Sequence, residues 1–141
     1  DDTHATLENL RRQGYRMSII SNASDDDDVQ TLVDKAGIRP YFEIILTSAA
    51  FGYRKPNPRI FRYVLDQMGV QADQAVMVGD TLGADILGAA NAGMGSVWMW
   101  KYADTAANRD HLDTIQPDAK VETLSELPAL LAGWYNRTLT P

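Results

Sequence analysis

The sequence predicts an α/β fold: a parallel sheet with helices on both faces. Three observations carry this expectation. Short apolar runs recur along the chain, segments with helical spacing separate them, and the runs are largely continuous rather than alternating. A strand covered on one face alternates, whereas a strand of a parallel sheet covered on both reads as a continuous apolar run. The chain has 141 residues, a length that suits one domain over 1–141.

Thr3 to Arg12 reads as a helix through Ala5, Leu7 and Leu10, with Gly14 as its stop. Met17 to Ile20 is a short run containing β-branched residues and reads as a strand. Ser24 and Asp27 form a capping-box-like pair ahead of Val29, Leu32, Val33 and Ala36 at helical spacing, and Gly37 ends that helix. Phe42 to Leu46 is a second strand, followed by a polar loop from Thr47 to Pro56. Asn57 as N-cap and Pro58 at the first helical position open the next helix, whose apolar face is Ile60, Phe61, Val64, Leu65 and Met68 before Gly69. Ala75 to Val78 is a third strand, and Gly79 to Gly83 is a tight turn. A small-residue helix follows from Ala84 to Ala92, and Ser96 to Trp100 is a fourth strand. Lys101 to Pro117 is polar and irregular. Val121 marks a short last strand, and Ser125 caps a final helix carrying Leu127, Leu130, Leu131 and Trp134.

Composition narrows the function classes. Hydrophobic residues make up 45% and charged residues 23%, which is ordinary for a globular chain. Nineteen acidic residues outnumber 13 basic ones and no basic patch stands out, so a nucleic-acid partner bound through its phosphates is not expected. The absence of cysteine excludes disulfides, thiolate metal sites and cysteine nucleophiles, and it fits a cytoplasmic location. No apolar run approaches the ~18 residues that span a bilayer, so no membrane partner is expected. Asp1 to His4 has no apolar core of a signal peptide.

Open parallel sheets bind ligands beyond the carboxyl ends of their strands. Ser21 and Asn22 follow the first strand, Lys55 lies in the loop after the second, Asp80 follows the third, and Asp85 comes five residues later. These groups can all reach one edge. A serine hydroxyl and nearby amides can hydrogen-bond a phosphate, and an ammonium can offset its charge. A carboxylate at a strand end can hold Mg²⁺, which prefers hard oxygen ligands. The turn at Gly79 to Thr81 also lies near a helix N-terminus, where the dipole favours anions.

Three stretches together resemble the second, third and fourth motifs of the haloacid dehalogenase-like hydrolases. They are Ser21 after its strand, Lys55-Pro56 before a helix, and Gly79-Asp80-Thr81-Leu82-Gly83-Ala84-Asp85. The resemblance implies a Rossmann-like sheet and a Mg²⁺-dependent phosphatase acting on a small phosphorylated metabolite. In that chemistry an aspartate attacks phosphorus, and water then hydrolyses the aspartyl-phosphate. Carried over, Ser21 binds phosphoryl oxygens, and Lys55 orients the nucleophile and stabilises transferring charge. Asp80 is a metal ligand, directly or through water, and Asp85, expected at the rim, belongs to the metal site as an additional ligand or as a support behind the ligands. Asn22, Gly79 and Thr81 shape the pocket, with Asn22 counted among the substrate-binding residues.

One motif is missing. The family's first motif is an apolar strand ending in Asp-x-Asp, which supplies the nucleophile, and no such strand occurs in these residues. Asp25 to Asp28 has the spacing but follows a strand already assigned to Ser21. Through the resemblance, the chain reads as the C-terminal portion of a hydrolase core, incomplete without its first core strand and cap. It is expected to be inactive alone. The missing strand is expected between the Met17 to Ile20 and Ala75 to Val78 strands, leaving edges through which the chain can self-associate. The alternative is a catalytically inert binding or regulatory module derived from the same family.

The remaining polar and aromatic features read as structural. Asp25 to Asp28 is an acidic first helical turn. His4 and His111 have no partner spacing of a metal site. Trp98 and Trp100 share a strand face and are expected to pack under the terminal helix. Ala89, Ala90, Ala92 and Gly93 permit close helix–sheet packing, and no glycine-rich nucleotide loop is present.

Overall fold

The structure is a computed structural model and describes residues 2–135. Its elements run α1 (Asp2–Arg12), β1 (Ser18–Ser21), α2 (Asp26–Ala36), β2 (Ile44–Thr47), α3 (Ser48–Phe51) and α4 (Pro58–Met68). They continue with β3 (Val76–Gly79), α5 (Leu87–Ala92), β4 (Gly95–Met99), α6 (Ala106–His111), β5 (Ala119–Val121) and α7 (Leu127–Tyr135). A π-helical turn, Leu82–Ile86, joins β3 to α5.

Every strand pair is parallel. β1 pairs with β2 from Ser18↔Ile44 to Ser21↔Thr47, and β3, β4 and β5 pair in that order. The two groups are not hydrogen-bonded to each other. Shared packing nevertheless sets them in one layer. On one face Ile20 and Leu46 of the first group and Met77 of the second pack against Ile60 and Phe61 of α4 and Ala92 of α5. On the other, Met17 at the entrance to β1 and Val76 and Val78 of β3 pack with Leu10 of α1 and Leu127 and Leu131 of α7. β1 and β3 are therefore the facing inner strands. All four residues of each are only half-buried, whereas Ser96, Val97 and Trp98 of β4 are buried.

Local chemistry accounts for most element ends. Asn57 accepts the Arg59 amide and Pro58 fills the first helical position of α4, while Gly69 closes it at φ 69°. α4 and α5 meet closely because residue 88 is glycine. A Cβ there would lie 2.5 Å from Phe61 Cε2.

Several expectations are corrected. The cap of α2 is Asp25, whose Oδ1 accepts from the Asp28 amide at 3.3 Å, not Ser24. Leu32 has helical spacing but is 65% exposed, since α2 buries only Val33. The 3₁₀ turn that leads into α7 is capped by Thr123 and Glu126 in a reciprocal capping box, not by Ser125. Both segments read as irregular hold a short helix: Thr47 caps α3 and Thr105 caps α6. Trp98 packs with Leu82, Ile86 and Ala103 rather than under the terminal helix, because its neighbour Val97 points to that face. Trp100 lies beyond β4, with the Lys120 ammonium 5.6 Å from its ring centre. Among the described residues no helix is long and apolar enough to cross a membrane.

Candidate active site

Parallel strands bring Ser21, the last residue of β1, and Asp80, which follows β3, to the same edge of the layer. Lys55 joins them. Its side chain is 8% exposed. Its ammonium donates to the Ile20 carbonyl at 2.7 Å and to Asp85 Oδ1 at 2.6 Å. One cation thus ties the end of β1 to the turn after β3. Asn22 fixes the lysine's backbone. Asn22 Oδ1 accepts the Lys55 amide at 2.8 Å, and Asn22 Nδ2 donates to the Lys55 carbonyl at 3.0 Å.

Asp85 is buried at 5% exposure and does not sit at the rim as expected. The π-helical turn folds it back over β3, where Asp85 Oδ2 accepts the Thr81 amide at 3.1 Å. A Cβ on residue 79 would overlap that carboxylate, so glycine is the residue that admits it. Both oxygens of Asp85 are therefore engaged, one by a cation and one by an amide, which offsets the cost of burying the charge.

Asp80 is exposed, and its Oδ1 accepts from Thr81 Oγ1 at 3.0 Å. The half-buried Ser21 hydroxyl makes no hydrogen bond to another described residue. The donor set suits one side of a Mg²⁺ site: a hard carboxylate oxygen at an open edge, with room for waters and phosphate oxygens. It does not make a whole site, because no cluster of three or more His, Cys, Asp or Glu among the described residues can hold a metal. Asp26, in the acidic run, accepts from Thr47 Oγ1 at 2.8 Å and belongs to the base of α2. His111 lies against Gly83 and His4 against Gly37.

Sequence reasoning missed the clamp on Lys55 as a role for Asn22, and it missed Asn108. That asparagine is buried in the segment read as irregular. Thr105 three residues earlier, a ready helix cap, was the available signal.

Residues 1–99 match the haloacid dehalogenase-like hydrolase family. The chain belongs to that family. Within it, a glyceraldehyde 3-phosphate phosphatase from Methanothermobacter thermautotrophicus is 37% identical over 131 residues, covering 92% of this chain and 57% of the relative. The crystal structure of a HAD phosphatase from Thermococcus onnurineus superposes with a TM-score of 0.79 at 35% identity, covering 94% of this chain and 57% of that one. A 2-haloacid dehalogenase from Pseudomonas syringae pv. Tomato DC3000 gives 0.77 at 34% identity, covering 94% and 53%. The chain thus spans little more than half the length of these hydrolases.

Proposed function

We propose that this chain is the phosphate-binding and metal-supporting part of a Mg²⁺-dependent phosphatase acting on a small phosphorylated substrate. The observation that carries this reading is the buried Lys55 ammonium, which bonds the Ile20 carbonyl and Asp85 and so links the strand end that carries Ser21 to the turn that carries Asp80. In this reading Ser21 donates to a phosphoryl oxygen and Lys55 offsets the charge that develops on it. Asn22 and Asp85 keep Lys55 in place, and Asp80 is the residue that holds Mg²⁺. Bound there, the ion would neutralise part of the phosphoryl charge. The attacking carboxylate comes from a strand outside these residues that pairs between β1 and β3; its attack on phosphorus breaks the bond to the substrate's ester oxygen, which leaves as the alcohol after taking a proton. Water then hydrolyses the resulting aspartyl-phosphate.

The test is hydrolysis of p-nitrophenyl phosphate with Mg²⁺ and with EDTA. The 141-residue chain is assayed alone and fused behind the part of the T. onnurineus phosphatase that its match does not cover. The expected result is no turnover by the chain alone and metal-dependent turnover by the fusion. Lys55→Ala in the fusion removes a cation ~4 Å from developing charge, a Coulomb term of about 4 kcal/mol at an effective dielectric of 20. The expected loss in kcat is about 10²–10³-fold, as for an oxyanion donor. Robust metal-dependent turnover by the chain alone would overturn the reading. The lack of a strand ending in Asp-x-Asp favours a second reading, an inert binding or regulatory module. A folded but silent fusion would support it.

A further inference from the structure

One carbonyl at the candidate site carries an unusual number of side-chain donors. The backbone oxygen of Asp80 accepts from Trp98 Nε1 at 2.9 Å and from Asn108 Nδ2 at 2.8 Å. Asn108 comes from α6, outside all three motifs that mark the family. It is 3% exposed, and its other bonds are as short. Asn108 Nδ2 also donates to the Ala103 carbonyl at 2.9 Å, and Asn108 Oδ1 accepts the Leu82 amide at 2.9 Å.

One planar amide therefore grips the chain on both sides of Thr81, by the carbonyl before it and the amide after it. Few side chains can do this. A carboxylate has no donor for the carbonyl, and a hydroxyl is too short to span both groups. Thr81 itself donates its amide to Asp85 and its hydroxyl to the Asp80 carboxylate. The turn is thus fixed from within by Asp85 and from outside by Asn108 and Trp98. Anchoring α6 does not by itself require such bonds, since Ala103 and Ile115 already pack against Leu82, Ile86 and Trp98. The polar bonds fall on the residues flanking the exposed carboxylate.

We infer that Asn108 is a positioning residue for Asp80. Aided by Trp98, it holds the turn so that the Asp80 carboxylate meets a divalent cation without rearrangement. The inference rests on the reading of Asp80 as a cation-binding group.

The test titrates Mn²⁺ into the ¹⁵N-labelled fusion protein described above, which supplies the segment expected to complete the site, and follows paramagnetic broadening of the Thr81 and Leu82 amides. It compares the wild type with Asp80→Asn, Asn108→Leu and Trp98→Phe. Hydrogen exchange of the Leu82 amide is measured on the same samples without metal. The wild type is expected to show a broadening midpoint that Asp80→Asn abolishes. Asn108→Leu is expected to raise the midpoint about 10-fold or more, the scale on which groups supporting a ligand act, and to speed Leu82 exchange while the β3 amides stay protected. Trp98→Phe, which keeps the Asn108 bonds, is expected to raise the midpoint by less. An Asp80-dependent midpoint that Asn108→Leu leaves unchanged overturns this inference alone. If Asn108→Leu does not fold, the same measurement is made on Asn108→Ser, whose hydroxyl cannot span the Asp80 carbonyl and the Leu82 amide, and an unchanged midpoint there overturns it. No Asp80-dependent midpoint in the wild type overturns the cation role of Asp80 and this inference together.

Discussion

Lys55 and Asp85 form a buried ion pair whose members also hold other groups, Ile20 through its carbonyl and Thr81 through its amide. Removing one partner strands the other, so Lys55→Met is expected to destabilise the chain by about 3–5 kcal/mol. Replacing both, Lys55→Met with Asp85→Leu, is expected to recover most of that loss, because a packed apolar pair has no charge to desolvate. Urea unfolding of the single and double variants checks both. Gly79→Ala should drive Asp85 off its place over β3. A cost of about 1–3 kcal/mol is expected, as for other overpacked sites. The placement of Ser21, Lys55 and Asp80 at one edge was legible in the sequence because Ser21 and Asp80 follow apolar runs and Lys55 lies just before the Asn57-Pro58 start of α4, which are local signals. The burial of Asp85 was not, because its cation lies 30 residues away in the chain.

Elements of eight residues or more were legible from spacing, and their glycine and asparagine ends from turn chemistry. α3 and α6, with four and six residues, are too short to show a period, and only their threonine caps mark them. Thr105→Ala is expected to cost about 0.5–2 kcal/mol through loss of the α6 cap, read as a lowered unfolding midpoint. Two exposed carboxyls between elements contribute modestly to the loss of stability in acid. A hydrogen bond from Arg16 holds the Glu43 carboxyl below its usual range and ties the chain before β1 to the chain before β2. The Thr123 and Glu122 amides do the same for Glu126 at the final capping box. Both are lowered in the folded state. Their contribution is present above the ordinary carboxylate value of about 4.3 and fades as pH falls through the lower folded values. Urea midpoints measured between neutral and acid pH should fall at the acid end, and less steeply in Glu43→Gln with Glu126→Gln.

At the scale of the molecule, the parallel α/β layer was legible from apolar runs, because burial on both faces leaves its mark in composition. The break in that layer was not. Apolar runs do not say which strands pair, and the expectation of a break came from the missing motif. Among the described residues β1 and β3 each have one hydrogen-bonded neighbour, and their residues stay half-buried between helices that cover both groups. Unpaired inner edges invite association. Light scattering with size-exclusion chromatography is expected to show a mass that rises with concentration, and thermal unfolding a low, broad transition. A monomer with a sharp transition at high temperature would contradict this.

The same break makes the stability of the chain a titratable quantity. Any segment that pairs with both inner edges binds the folded state and not the unfolded one, so it acts as a folding ligand. By mass action its contribution grows as RT ln(1 + [L]/Kd), about 2.7 kcal/mol at a hundred times Kd. The affinity of such a strand could then be read from a melting curve alone, before any chemistry is assayed.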